Sequence, residues 1–298
     1  MELLKSELSM ILGESISRVE TLSRQPQSCL FALYNQAGQA MPMAVRCFTH
    51  PGLAEQEARK LMLLRDNTHV RVPSAYAVVV SERQPFHELL LLERLGGLSL
   101  EAPLRSSEHS QQLAQQVAAA LRHWHQQPSK GLSGFVDSSQ ALHWSDWFYQ
   151  YSAVLLSLLR HKQQQQDVSA DDRQFLSRTL ECHRQLFADL QAPTVMVHGN
   201  LQLSTLLKDP HTEQLLAIVQ PGRMLWAPAE YDLFRLQETP LGRQIVSAYL
   251  SRAAVDEGFV WRSALYRLWE QVEQRVHNQP FCADRFRRAK TDLLPWLE

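Results

Sequence analysis

The sequence predicts an α+β fold in which a small sheet-bearing lobe is followed by a larger, mostly helical lobe. Apolar, β-prone runs separated by turn residues dominate residues 1–95. From residue 96 onward, apolar residues instead recur at helical spacing. Two apolar runs within 194–220 each stop at a small polar loop, which predicts a buried hairpin that carries functional loops. We therefore expect one domain at 1–95 and a second at 96–298, with the site hairpin at 194–220.

The first 95 residues contain patterns for two helices and five strands. An apolar stripe predicts a first helix docked on the domain, and its members are Leu4, Leu8, Ile11 and Leu12. Apolar runs bounded by turn residues predict strands at 16–22, 29–34, 43–48, 76–80 and 88–93. One side of a second helix, between the third and fourth strands, carries Ala54, Ala58, Leu61 and Leu64. These elements are enough for a small antiparallel sheet with one helix packed on it.

The second lobe begins after the adjacent glycines at 96–97, where the periodicity changes. Its main helices are predicted where apolar residues repeat with a helical period, at 113–124, 144–158 and 261–276. The predicted hairpin pairs the apolar run 195–201 with the run 215–223. The turn residues between these runs lie at 209–212.

Length, composition and charge exclude several classes of protein. A chain of 298 residues with 45% hydrophobic and 20% charged residues is typical of one large or two small globular domains. The net charge of −1 gives no electrostatic footprint for nucleic acid. No apolar run approaches the roughly 20 residues that span a membrane. Residues 1–8 already contain both acidic and basic residues, unlike a signal peptide. The four scattered cysteines lack metal-type spacing, so we expect a cytoplasmic protein with free thiols.

Several short segments resemble, in their order along the chain, the motifs of one known protein family. Residues 57–61 resemble its first helix with an ion-pairing glutamate, and residues 121–125 resemble the end of the helix beneath its site. Residues 131–135 are similar to the segment that follows that helix, and residues 230–234 are similar to the segment that follows the metal loop. With the two-lobe plan, they resemble the protein-kinase-like fold, and within it the fructosamine kinases and aminoglycoside phosphotransferases. The whole chain is also similar to an uncharacterised enterobacterial phosphotransferase-like family of nearly the same length.

The resemblance implies a site for ATP and Mg²⁺, but the residues at its phosphate-binding positions differ from those of the family. The glycine-rich loop between the first two strands becomes 23–28, which lacks glycine and contains Pro26, a residue without an N–H group. The lysine of the third strand becomes Arg46, whose planar fork is not a simple substitute for an ammonium. We expect Arg46 to form the ion pair of the nucleotide site with Glu57, and Glu55 is the alternative partner.

The catalytic and metal-binding positions carry neutral side chains. The resemblance places Asn200 at the catalytic aspartate position and Thr205 and Gln220 at the metal-ligand positions. An amide cannot accept a proton at neutral pH, and general-base catalysis is typically worth about 10²–10⁴-fold. Because Mg²⁺ prefers carboxylates and phosphates, we expect neither residue to bind it. We interpret His198 as a structural brace of the catalytic loop, and Asp232 as a tie between a helix start and that loop.

Three functions are compatible with these substitutions. We predict foremost a pseudokinase-like protein that keeps a cleft for a small-molecule ligand or a protein partner. The first alternative is an active ATP-dependent small-molecule kinase with unusual metal ligands, which would use ATP and Mg²⁺. The second is a structural or interaction protein whose cleft is filled by side chains. Under each hypothesis we expect no binding to nucleic acid or membranes. Arg223, beside the former metal loop, is interpreted as a surface residue, with an anion as its alternative contact.

Overall fold

The chain folds into two compact units. The structure, a computed structural model, describes residues 2–81, 85–161, 168–253 and 255–297. The first unit, called the sheet unit, comprises Met1–Arg105 and Leu203–Pro221. The second, called the helical unit, comprises Ser106–Gln202 and Gly222–Glu298.

The described residues contain eleven strands and ten α-helices, named in chain order. The strands are β1 (Ile16–Gln25), β2 (Ser28–Asn35), β3 (Ala40–Phe48), β4 (Ala75–Val80), β5 (Glu88–Glu93), β6 (Leu98–Ser99), β7 (Gly134–Phe135), β8 (Val195–Val197), β9 (Leu206–Lys208), β10 (Leu215–Ile218) and β11 (Leu225–Ala227). The helices are α1 (Glu2–Leu12), α2 (Leu53–Asp66), α3 (Ser107–Trp124), α4 (Trp144–His161), α5 (Ala170–Glu181), α6 (His183–Leu186), α7 (Glu230–Leu233), α8 (Pro240–Leu250), α9 (Phe259–Val276) and α10 (Ala283–Leu293).

The five strands predicted for the first lobe are confirmed as one antiparallel sheet. Their order is β1-β2-β3-β5-β4, and every neighbouring pair is antiparallel. Alternate side chains of β2, β3 and β5 share one face, where they form a core with Leu4 and Leu8 of α1. The intervening side chains, such as Ala44 and Arg46, point to the opposite face. The helix α2 packs against β3, β4 and β5 and so completes the predicted arrangement of a sheet and one helix.

The start of α2 is fixed by a carboxylate of the sheet. Glu88 of β5 accepts a hydrogen bond from the N–H of Gly52 at 2.6 Å and another from the N–H of Ala54 at 2.9 Å. Negative charge at a helix N-terminus satisfies orphan N–H groups and interacts favourably with the helix dipole. This contact holds the first turns of α2 against β5 and thereby sets the position of Glu57.

The predicted pairing of the site hairpin is wrong. Within the run 215–223, β10 pairs with β9, and β9 pairs with β6. Within the run 195–201, β8 pairs instead with β11. The turn at 209–212 therefore connects β9 to β10. Sequence periodicity did not reveal β9 because it is three residues long and ends in a lysine. The side chain of Lys208 is only 1% exposed and is neutralised by Glu213, which lies 3.1 Å away.

The compact units differ from the predicted domains 1–95 and 96–298 in two places. The β9–β10 hairpin belongs to the sheet unit, and the chain stays in that unit as far as Arg105, because β6 pairs with β9. Gly97 therefore lies inside a unit, where it allows close packing. A Cβ at Gly97 would lie 2.9 Å from Cβ of Leu207 and 3.2 Å from the carbonyl oxygen of Lys208, so a larger residue would require β9 to shift.

The helical unit contains the predicted helices and one small sheet. The helices expected at 113–124, 144–158 and 261–276 are present as α3, α4 and α9. In the sheet, β11 lies between β7 and β8. The ring of Tyr266, 1% exposed, lies at the centre of an aromatic core. Its aromatic neighbours are Trp144, Phe148, Phe187, Tyr231 and Phe234. None of the helices in the described part of the chain combines the length and the hydropathy that a membrane span requires.

The close approach of β7 to α4 depends on one glycine. Gly134 has a φ of +98°, and a Cβ at this position would lie 2.1 Å from Nε1 of Trp147. Trp147 in turn stacks on Tyr151, with ring centroids 5.1 Å apart and an interplanar angle of 13°. A side chain at residue 134 would displace this aromatic pair.

We expect Gly134→Ala to destabilise the protein more than Gly131→Ala. Both residues have positive φ, +98° and +89°, so both variants carry left-handed backbone strain of about 1–2 kcal/mol. A Cβ at Gly131 meets no described atom within 4 Å, whereas one at Gly134 collides with Trp147. Overpacking should add about 1–3 kcal/mol to the cost of Gly134→Ala. Urea unfolding measures both variants, and equal losses of stability would contradict this packing.

Candidate functional site

A cavity of about 360 Å³ lies within the sheet unit. This volume falls within the range of roughly 300–1,000 Å³ that is common for small-molecule sites. Its apolar lining includes Leu22, Leu30, Ala44, Leu92, Leu207 and Val219. Its polar lining includes Arg46, Glu57 and Gln220, three of the residues that the sequence assigned to the site.

The predicted ion pair between Arg46 and Glu57 is confirmed. Nη1 of Arg46, on β3, donates to Oε1 of Glu57, on α2, over 2.8 Å. The two residues are only 5% and 9% exposed, so the pair is desolvated. Among the described residues, Nε of Arg46 has no hydrogen-bond partner although it is buried. A buried N–H without an acceptor is costly, and here it belongs to a side chain that lines the cavity.

The loop that corresponds to the glycine-rich loop is a tight hairpin turn. β1 and β2 remain paired up to Gln25 and Ser28, so only Pro26 and Gln27 form the turn. Nε2 of Gln25 donates to Oε1 of Gln220 over 3.5 Å, a weak contact at the upper limit for a hydrogen bond. The turn thus offers few free backbone N–H groups to phosphates, and the side chain of Gln25 contacts Gln220.

The two residues at the metal-ligand positions present neutral oxygens. The carbonyl of Thr205 accepts the N–H of Val219 at 2.9 Å, which brings the residue before Gln220 next to Thr205. Gln220 has a φ of +54°, a conformation that side chains rarely adopt. The donor set is therefore a hydroxyl and an amide, which does not fit Mg²⁺. The described part of the chain holds no group of three or more His, Cys, Asp or Glu residues that could bind a metal ion.

In the helical unit, a buried carboxylate holds the loop that carries Asn200. Asp232, at 0% exposure, accepts hydrogen bonds from the N–H of His198 at 2.7 Å and the N–H of Gly199 at 3.0 Å. The N–H of Asn200 is 3.3 Å from Nδ1 of His198, whose ring packs edge-on against Trp124. Asp232 and His198 thus both contact the backbone of this loop, as their expected structural roles require.

Two histidines keep Asp232 ionised despite its burial. Burial alone would raise the pKa of this carboxyl group. The hydrogen bond and charge of His125, together with His198, more than offset burial and lower the pKa of Asp232 below its ordinary value. Nε2 of His125 lies 3.3 Å from Oδ2 of Asp232, and its Nδ1 lies 2.9 Å from the hydroxyl of Tyr249. His125 belongs to the segment 121–125 that resembles the family, but the sequence alone gave it no role.

Sequence reasoning also missed Gly222, which lets the chain pass close to the catalytic loop. A Cβ at Gly222 would lie 2.7 Å from Cβ of Asn200 and from the carbonyl of Gly199. The N–H of Gly222 donates to the carbonyl of His198 at 3.0 Å. The only signal in the sequence was a glycine next to a proline, which predicted a loop without predicting its contact.

We expect Asp232→Asn to destabilise the protein by about 3 kcal/mol or more at neutral pH, because it removes one charge from a buried hydrogen-bonded network. Since the folded pKa of Asp232 is lowered, its ionisation stabilises the fold above the unfolded pKa of about 3.9. That contribution is lost as the pH falls through the lower folded pKa. Urea unfolding between pH 7 and pH 3 should show this acid-dependent loss in the wild type and a smaller one in Asp232→Asn.

Asp189→Asn is the matched control, because Asp189 is an exposed aspartate outside the helices and strands. It should change the free energy of unfolding by less than about 0.5 kcal/mol. If Asp232→Asn behaved like this control, the carboxylate would not be what holds the loop.

Comparison with known proteins identifies the family of this chain. The fructosamine kinase family model matches residues 31–292. The uncharacterized protein YcbJ of Escherichia coli (strain K12) is 42% identical over 297 residues, which cover 100% of both chains.

Two solved structures show the same fold. A putative fructosamine-3-kinase from Haemophilus somnus 129PT has a TM-score of 0.74 at 16% identity, over 99% of this chain and 97% of that chain. A thermostable mutant of aminoglycoside phosphotransferase APH(4)-Ia, in a ternary complex with ADP and hygromycin B, has a TM-score of 0.68 at 15% identity, over 99% and 97% of the two chains. The fold is therefore that of the protein-kinase-like phosphotransferases, and the chain belongs to the fructosamine kinase family.

Proposed function

We propose that this chain is a pseudokinase of the fructosamine kinase family. It binds a nucleotide-like anion in the cavity of the sheet unit without a divalent metal, and it does not carry out ordinary phosphoryl transfer from ATP. The family membership and the fold support the kind of ligand. The side chains at the phosphate and metal positions support the loss of the reaction.

The cavity supports a ligand-binding function over a purely structural one. About 360 Å³ remains open between leucines of the sheet and the residues Leu207 and Val219. A cleft filled by its own side chains would leave no such volume. Apolar walls of this kind suit a flat ring, and the similar phosphotransferase structure contains ADP. ADP is therefore the appropriate probe for this cavity.

The unpartnered Nε–H of Arg46 is the observation that carries the proposal. Glu57 uses Nη1 of the guanidinium, and the buried Nε–H has no hydrogen-bond partner among the described residues. An unmade hydrogen bond to a buried polar group costs roughly 1–3 kcal/mol, and an anionic oxygen in the cavity would remove that cost. A guanidinium keeps its charge at any physiological pH and binds phosphate oxygens through directed N–H groups. Arg46 can therefore hold one phosphate of a ligand without help from a metal ion.

The metal positions support the absence of ATP chemistry. Phosphoryl transfer depends on metal ions that bridge and neutralise the phosphates. Thr205 and Gln220 offer a hydroxyl and an amide, and neither supplies negative charge. The tight turn at Pro26 and Gln27 gives little backbone support for a triphosphate. The missing metal ligands and the missing backbone donors would all have neutralised the charge of the phosphates. Restoring one of them alone would therefore not restore the reaction.

The catalytic loop supports the same conclusion from the other unit. Asn200 stands where the family has a general base, and its amide cannot take a proton from an acceptor hydroxyl at neutral pH. The loop itself is braced by Asp232 and His198 as in a functional site. That intact bracing is the one observation that favours the competing function, an active ATP-dependent small-molecule kinase with unusual residues.

We expect ADP to raise the melting temperature by the same amount in EDTA as in excess Mg²⁺. A ligand that binds only the folded state stabilises it by mass action, so at about 100 times its Kd the gain is roughly 2.7 kcal/mol. ATP turnover should be undetectable with fructosamines or aminoglycosides as acceptors. Asn200→Asp alone should stay inactive because its carboxylate would face a site without metal. Mg²⁺-dependent binding, or ATP turnover that is lost on Asn200→Ala, would establish the active kinase instead.

We expect the double variant Arg46→Met/Glu57→Leu to fold normally and to lose ADP binding. Removing one partner of a buried ion pair costs about 3–5 kcal/mol, whereas replacing both by apolar residues of similar size is often neutral. Urea unfolding should therefore show Arg46→Met as destabilised and the double variant as close to the wild type. Calorimetric titration of the double variant with ADP should give no heat of binding. Unchanged ADP affinity would show that the ligand is not held by Arg46.

A further inference from the structure

We propose that Arg223 forms a binding site for a small oxyanion, a carboxylate or a phosphate group of a ligand, beside the catalytic loop of the helical unit. This site is separate from the cavity of the sheet unit and does not depend on the proposed nucleotide binding. The proposal rests on how the guanidinium is held, which of its N–H groups are occupied, and where it lies along the chain.

The guanidinium of Arg223 is fixed although its side chain is 51% exposed. Its central carbon lies 3.6 Å from the centroid of the Phe135 ring, in cation–π geometry. Its Nη1 donates to the hydroxyl of Tyr151 at 2.9 Å and to Oε1 of Glu273 at 3.1 Å. An ordinary surface arginine loses side-chain entropy when it binds a ligand, and most of that loss is already incurred here.

The support beneath Arg223 is itself rigid. The rings of Trp147 and Tyr151 stack, and Phe135 packs edge-on against both at 5.2 Å. The hydroxyl of Tyr151 donates to Glu273 at 2.6 Å. Burial and the nearby carboxylate of Glu273 raise the pKa of Tyr151, which keeps this hydroxyl protonated as a donor. The aromatic cluster therefore holds both Arg223 and Glu273 in one geometry.

The free side of the guanidinium has the geometry for an oxyanion. Both contacts with neighbouring side chains use Nη1. Within the described part of the chain, Nε and Nη2 of Arg223 have no hydrogen-bond partner. These two groups form one edge of the planar fork, and two parallel N–H donors bind a carboxylate or phosphate in a bidentate manner. Glu273 neutralises part of the positive charge and so limits the affinity.

The backbone that carries Arg223 passes close to the loop of Asn200. Gly222, the residue before Arg223, packs against Gly199 and Asn200, and a Cβ at Gly199 would lie 3.5 Å from the carbonyl of Arg223. The guanidinium thus belongs to a residue whose backbone contacts the loop on which the family carries its catalytic residue. The positive charge of the guanidinium favours a negatively charged ligand at this site and repels a polycation.

Calorimetric titration with matched sugars tests this site at constant ionic strength. The probes are gluconate for a carboxylate, glucose 6-phosphate for a phosphate, and glucose as the neutral control. We expect at least one of the two anionic probes to bind and glucose to give no signal. Arg223→Met should abolish binding, and Arg223→Lys should weaken it by about tenfold because it keeps the charge and loses the fork. Glu273→Gln should strengthen binding severalfold, because it removes the competing carboxylate.

Arg243→Met is the control for a general loss of positive charge, since Arg243 is an exposed arginine on α8. It should leave the affinity unchanged, as should Arg46→Met/Glu57→Leu, so a failure of this proposal is distinct from a failure of the nucleotide site. Circular dichroism confirms that each variant is folded, and if Arg223→Met does not fold, Arg223→Lys decides. No binding of either anion, or binding that Arg223→Met and Arg223→Lys leave unchanged, would overturn the proposal.

Discussion

The buried ion pair between Arg46 and Glu57 is the interaction on which the geometry of the cavity in the sheet unit depends. It joins β3 to α2 on the face of the sheet that lines the cavity, while the other face is closed by apolar packing with α1. Removing two charges from water costs about as much free energy as their attraction returns, so a buried ion pair adds little to the stability of the fold. Its consequence is geometric: a guanidinium is held in the wall of a cavity with one donor left over. The proposed ligand chemistry follows from that remaining donor.

The helical unit preserves the family scaffold while the reactive groups differ. Asp232 uses its carboxylate oxygens to hold the backbone of the catalytic loop, and His125 keeps that carboxylate charged. These contacts determine where residue 200 lies, whatever its side chain. The fold alone therefore does not establish the reaction, and function has to be argued from the site. The anion site proposed at Arg223 belongs to the same unit.

Local patterns in the sequence were sufficient for much of the fold and for part of the site. The five strands of the first sheet have clear apolar runs, and the pair of Arg46 with Glu57 followed from the resemblance, because β3 and α2 face each other in that fold. The partner of β10 was not predictable, because β9 is short and contains Lys208, whose burial depends on Glu213 and on tertiary contacts. The contacts of Arg223 also could not be predicted from the sequence. It is made by side chains from β7, α4 and α9, and no local signal joins segments so distant in sequence.

Crystals grown with ADP and Mn²⁺ would show whether the sheet unit holds a nucleotide without a metal ion, because anomalous scattering locates manganese independently of the rest of the density. We expect ADP in the cavity of the sheet unit, with a phosphate oxygen within hydrogen-bond distance of Nε of Arg46. We expect no anomalous peak near Thr205 or Gln220. A manganese ion coordinated by either of these residues and by the phosphates of ADP would rule out metal-independent binding and would place the chain among the metal-dependent kinases.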